Sequence, residues 1–142
     1  MTGFTATAEV EIEASTTRVW TALTEPDQIK AYMFGSEVTT DWTVGSSIVW
    51  AGEYDGRPYE DKGEVVEFEP PHRLTVTHFS PLSGQPDVPE SYHRLTYRLD
   101  EVDGRTRVRL SQDNNPTEEA AEHSRRNWEL MLGGLKEYVE RD

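Results

Sequence analysis

Residues 115–142 follow a mostly strand-like chain and read as one long amphipathic helix, whose apolar face must lie on something. Ala121, Trp128, Met131, Leu132, Leu135, Tyr138 and Val139 recur at three- to four-residue spacing. Glu122, Arg125, Arg126, Glu129 and Lys136 fall largely elsewhere. Asn115-Pro116-Thr117-Glu118 is a start signal, with Asn115 expected as N-cap, Pro116 at the first helical position and Glu118 at the third. Gly133-Gly134 interrupts the pattern at a cost of about 1 kcal/mol per glycine relative to alanine. Such a pair points to a close approach, a bend or space left for a ligand.

What precedes this helix can supply its support. Phe4, Ala6, Ala8, Val10 and Ile12 alternate with Thr5, Thr7, Glu9, Glu11 and Glu13, as in a half-buried strand. Ser15 is an expected N-cap for a short helix carrying Val19, Trp20 and Leu23 and ending before Pro26. A second helical turn is expected over Asp27–Met33, with Ile29 and Tyr32 inward. From Glu37 to Asp113 strands alternate with turns at Gly45, Asp55-Gly56, Pro70-Pro71, Pro81 to Pro89 and Asp103-Gly104. Ile48, Trp50 and Tyr54 share a face, as do Leu74, Val76 and His78 against Thr75, Thr77 and Phe79, and then Leu95, Tyr97 and Leu99. Val65 and Val66 are adjacent, so a bulge near Gly63 decides which points inward. Hairpin-length connections imply one antiparallel sheet. The expected fold is α+β: a curved sheet of six to seven strands around the C-terminal helix, with two short helices after strand 1.

Composition excludes several functions. A chain of 142 residues suits one domain, 1–142, and a formal net charge of -13 argues against nucleic acid and anionic membrane as partners. The absence of cysteine removes disulfides, thiolate catalysis and Cys-ligated zinc. No leader pattern or spanning apolar run is present, so the expected address is the cytoplasm.

Five segments carry a resemblance to a known family across nearly the whole length. Ser15-Thr16-Thr17-Arg18-Val19-Trp20-Thr21-Ala22-Leu23-Thr24 is similar to its opening helix, and Ile29-Lys30-Ala31-Tyr32-Met33 with Val44-Gly45 to its next segments. Gly63-Glu64-Val65-Val66-Glu67-Phe68-Glu69-Pro70-Pro71-His72-Arg73-Leu74 is the closest match, and Asn127-Trp128-Glu129-Leu130-Met131-Leu132-Gly133-Gly134-Leu135-Lys136 resembles the closing helix. The family is that of the activator of heat-shock protein 90 ATPase homologue (AHSA1-like), within the SRPBCC or START-related (Bet v 1-like) helix-grip superfamily. The resemblance implies a helix-grip domain with a cavity between sheet and helix. Asn127 stands where the family usually has Gly, and His78 where an aromatic residue is common.

His72, His78, His93 and His123 lack metal-site spacing, so no metal is expected. There is no nucleophile elbow and no phosphate-binding glycine loop, so no catalytic residue or cofactor is assigned. His78 is the one histidine on an inward face; it is either a core histidine satisfied by a neighbour or a hydrogen-bonding group aimed at a ligand. Trp50, Val76, His78, Tyr97, Trp128, Met131 and Leu135 are the candidate cavity lining. Arg105, Arg107 and Arg109 are expected to pair with Glu9, Glu11 and Glu13 across neighbouring strands rather than to bind an anion. Asp113, Asn114 and Asn115 are read as turn and cap residues. The leading function is a noncatalytic module holding a small apolar ligand, lipid-like or aromatic. The family resemblance adds chaperone ATPase co-regulation as a second reading, and the wider superfamily a cyclase or aromatase with His78 or a tyrosine as acid/base.

Overall fold

Seven strands form a single antiparallel sheet in the order β1-β7-β6-β5-β4-β3-β2, so the first strand lies beside the last. In chain order the elements are β1 (Phe4–Ile12), α1 (Thr16–Thr24), α2 (Pro26–Tyr32), β2 (Glu37–Thr40), β3 (Ser47–Tyr54), β4 (Arg57–Glu69) and β5 (Arg73–His78). After a 3₁₀ turn at Pro89–Ser91 come β6 (His93–Val102), β7 (Arg105–Asn115) and α3 (Glu118–Glu140). The computed structural model describes residues 3–33, 35–54, 56–81 and 84–141. The expected inward side chain of Tyr54, and Asp55 of the Asp55-Gly56 turn, lie outside the described residues.

The two short helices form where the local signals place them. Ser15 Oγ accepts from the Arg18 amide, capping α1, and Pro26 stands at the start of α2, where a missing N–H costs nothing. Val19, Trp20, Ala22, Leu23, Ile29 and Tyr32 are buried, and the Tyr32 hydroxyl donates to the Ala22 carbonyl at 2.8 Å, tying the helices together.

The sheet bends along β4. Its first part pairs with β3, from Tyr54↔Arg57 to Ser47↔Glu64, and its last part with β5, where the register shifts between Val65 and Glu67. Val66 is therefore the extra residue of a bulge, which settles the inward choice for Val65 and returns Phe68 to the inner face. There Phe68 meets Trp20 and Trp42 at ring distances of 5.4 and 5.7 Å. Phe4, Thr75 and Phe79 depart from simple alternation, Thr75 being buried with its hydroxyl donating to Glu67. Phe4 is 42% exposed, because the β1–β7 register shifts between Phe4 and Ala6 at the strand's open end. Phe79, on the expected outer set, is buried because it extends β5 by a bridge to Lys62 and stacks on Tyr92.

The long helix starts two residues later than its sequence signal. Thr117 is the cap, its Oγ1 accepting from the Ala120 amide, and α3 runs from Glu118. Asn115 is instead the buried last residue of β7: its amide donates to the Phe4 and Gln112 carbonyls, and its Oδ1 accepts from the Ser124 hydroxyl. Asn is on average the better N-cap of the two, so these tertiary bonds override the intrinsic preference. Asn114 and Asp113 also bond to strand and turn backbone, at Tyr92 and Arg94, rather than capping the helix. At its other end α3 is fastened to β1. Lys136 Nζ donates to the Glu11 carbonyl at 2.8 Å, and Glu140 accepts from the Glu13 amide at 2.8 Å. The Glu13 amide first, and then Lys136 Nζ, which also donates to the Glu140 carboxylate at 2.7 Å, hold the Glu140 carboxyl below its ordinary range.

On the outer face Arg109 pairs with Glu9, and Arg107 and Arg105 both reach Glu11, at 3.2 and 3.7 Å. Glu13 is not opposite Arg105, since β1 ends at Ile12.

Gly133-Gly134 lies within the uninterrupted α3 and is not required by a close approach. A Cβ at Gly133 meets nothing within 4 Å, and one at Gly134 makes ordinary contact with the Tyr32 backbone at 3.5 Å. Gly133→Ala is accordingly expected to stabilise the domain by about 1 kcal/mol, roughly 3 °C in the unfolding midpoint. Thermal unfolding followed by circular dichroism checks this, and a lowered midpoint would contradict the open surroundings of Gly133.

Candidate ligand-binding cleft

Where α3 lies chiefly along β1, the small Ala6 and Ala8 let it approach, and its second half buries Leu132, Leu135 and Val139. Its first half stands away from the middle strands. Between them opens a cleft of about 720 Å³. Trp50 from β3, Leu95 and Tyr97 from β6, Trp128 and Met131 from α3 and Met33 after α2 supply its apolar wall. Leu130, at 70% exposure, stands at the rim.

Of the seven residues expected to line a cavity, five meet here: Trp50, His78, Tyr97, Trp128 and Met131. Val76 and Leu135 sit in the packed core beneath it. Strand alternation for Trp50, Val76, His78 and Tyr97, and helical spacing for Trp128, Met131 and Leu135, select a face, but a face has a packed part and an open part. Only the three-dimensional spacing of helix and sheet divides them.

The cleft also has polar groups along its border: Glu53, His123 and Asn127 are exposed, while others are paired within it. Trp128 Nε1 donates to Gln112 Oε1, and the hydroxyls of Ser36 and Tyr59 are hydrogen-bonded to each other. His78 Nε2 lies 2.9 Å from Asp61 Oδ2, with both side chains largely covered. Asp61 Oδ1 is enclosed and has no hydrogen-bond partner among the described residues. The His78 ring meets the Trp50 ring edge-on at 5.0 Å and faces the His93 ring at 6.5 Å. His93 Nδ1 in turn donates to the Asp113 carbonyl at 2.8 Å, which fixes its orientation. Burial pushes the Tyr97 phenol well above its ordinary range, so it remains neutral.

Asp61 is the partner that the sequence reading lacked for His78. A signal for it exists: alternation carried back from Val65 passes through Gly63 and Asp61 to Tyr59, and both Asp61 and Tyr59 border the cleft. The charged run Glu60-Asp61-Lys62 masks that signal, since such a run ordinarily reads as a solvated strand. No three His, Asp or Glu side chains converge as metal ligands among the described residues.

The family model for activator of Hsp90 ATPase homolog 1-like protein matches residues 13–140. This chain belongs to the AHSA1-like family. The solution structure of ChR145 from Cytophaga hutchinsonii is 45% identical, with a TM-score of 0.87 over 99% of this chain and 97% of that one. The Aha1 dimer from Colwellia psychrerythraea is 22% identical, with a TM-score of 0.75 over 96% of each chain. DynU16, from the dynemicin biosynthetic locus, is 20% identical with a TM-score of 0.80, covering 96% of this chain and 47% of that one. The last two establish the shared helix-grip fold of this AHSA1-like domain and nothing narrower. No curated protein sequence matches the chain. No helix among the described residues is long and apolar enough to cross a membrane.

Proposed function

We propose that this AHSA1-like domain is a noncatalytic binding module that holds a small, largely apolar ligand, of flat or aromatic shape, in the cleft between sheet and α3. The observation that carries the reading is the aromatic wall of Trp50, Tyr97 and Trp128 around a space of about 720 Å³. That volume lies in the range of small-molecule sites, roughly 300–1,000 Å³, and a few polar groups on an otherwise apolar wall are what such sites use for orientation. Met131 and Met33 add side chains that adapt to irregular ligand shapes.

The test is a titration of the ¹⁵N-labelled protein with 2-methoxynaphthalene. Saturable shifts are expected at the indole N–H groups of Trp50 and Trp128 and at the Met131 amide. Trp128→Ala is expected to weaken binding about tenfold, as loss of a central aromatic contact does. Absence of saturable shifts at these positions would remove the reading. A rise in the ATPase rate of Hsp90 on adding the protein would support chaperone co-regulation in its place.

A further inference from the structure

The pairing of Asp61 with His78 leaves an acceptor that a purely apolar ligand does not use. A carboxylate oxygen only accepts, so the 2.9 Å contact requires the hydrogen on His78 Nε2. In the neutral ring Nδ1 is then a bare lone pair. Nδ1 has no hydrogen-bond partner among the described residues and is not among the enclosed polar atoms, and the residue that carries it lines the cleft. Asp61 Oδ1 has no partner either, so the carboxylate's hold on the ring is its one side-chain hydrogen bond. The ring cannot readily turn away. Trp50 meets it edge-on, and His93 faces it from the neighbouring strand.

We infer that the cleft selects flat aromatic ligands bearing a hydroxyl group, which donates to His78 Nδ1 while the ring system lies among Trp50, Tyr97 and Trp128. Asp61 is a positioning residue: it fixes which nitrogen of His78 is the acceptor. The inference rests on the ligand-binding reading above and narrows it to a chemical class. It predicts discrimination between two molecules of nearly equal size and apolarity, one with a donor and one without.

The experiment compares 2-naphthol with 2-methoxynaphthalene, which keeps the ring and the oxygen but has no donor. On the wild-type protein 2-naphthol is expected to bind about five- to tenfold more tightly, the worth of one buried neutral hydrogen bond. In a double variant, Asp61→Leu with His78→Phe, both polar partners are replaced by apolar groups, a change that folded proteins tolerate better than removing one. The affinity ratio is expected to fall to about one there. Independently of any ligand, long-range ¹H–¹⁵N correlation spectra are expected to show the His78 hydrogen on Nε2, with the Nδ1 resonance moving on addition of 2-naphthol. Equal wild-type affinities, a ratio that survives in the double variant, or a hydrogen found on Nδ1 or on both nitrogens would each overturn the inference while leaving the apolar cleft as a ligand site. Saturable binding of neither compound would overturn both.

Discussion

Gly63→Ala is expected to cost about 3 kcal/mol of stability and lower the unfolding midpoint by roughly 10 °C, a large loss for one methyl group. Gly63 has ordinary backbone angles, so conformational freedom is not the reason for glycine here. The reason is proximity: a Cβ would stand 1.8 Å from the Thr77 carbonyl oxygen and 2.6 Å from its carbon. These are backbone atoms of β5 and cannot swing aside as a side chain does. β4 and β5 must part to admit the methyl, beside the paired backbone bonds between Lys62 and Phe79 and next to the Val65↔Val76 pair. The same displacement moves Asp61 relative to His78, so the His78 tautomer is expected to become mixed as well. Calorimetry and the imidazole ¹⁵N spectrum measure the two effects. A midpoint within about 2 °C of the parent would mean that the strands separate freely, against the close packing expected of a protein interior.

The glycine also shows what a sequence of this kind makes legible. Its presence beside two adjacent valines indicated a bulge, and the structure has one, yet the bulged residue is Val66 and the close approach is at Gly63 itself. Local periodicity was enough for most of the strands and the two short helices, because period-2 and period-3.6 patterns are written residue by residue, but it neither singled out Glu37–Thr40 nor carried β4 back to Arg57. Features decided by distant atoms were not available in that way. Asn115 and Thr117 are both good caps, and only the carbonyls of Phe4 and Gln112 select between them. Phe79 looked outward until Tyr92, from the chain beyond β5, covered it. Asp61 was hidden for a related reason: a carboxylate on an inner face makes sense only once His78 is beside it.

Leu135→Ala and Met131→Ala, one helical turn apart on α3, are expected to separate stability from binding. Leu135 is fully buried in the core cluster and does not border the cleft, so its truncation is expected to cost about 3–4 kcal/mol through lost burial and the residual cavity. The unfolding midpoint should fall by roughly 10 °C or more. Below that midpoint the folded protein should still bind 2-methoxynaphthalene with the parent affinity, since no wall atom has changed. Met131 is equally covered, at 2% exposure, but it is part of the cleft wall. Its truncation removes apolar contact from both core and ligand, so it is expected to lower stability by about 2–3 kcal/mol and to weaken binding severalfold. Thermal unfolding with a parallel NMR titration of each variant reads both quantities. If Leu135→Ala weakened binding as much as Met131→Ala did, the ligand would have to reach past the cleft into the space beneath α3. The helix would then act along its whole length as a ligand surface, instead of being anchored on β1 at one end and held away from the sheet at the other.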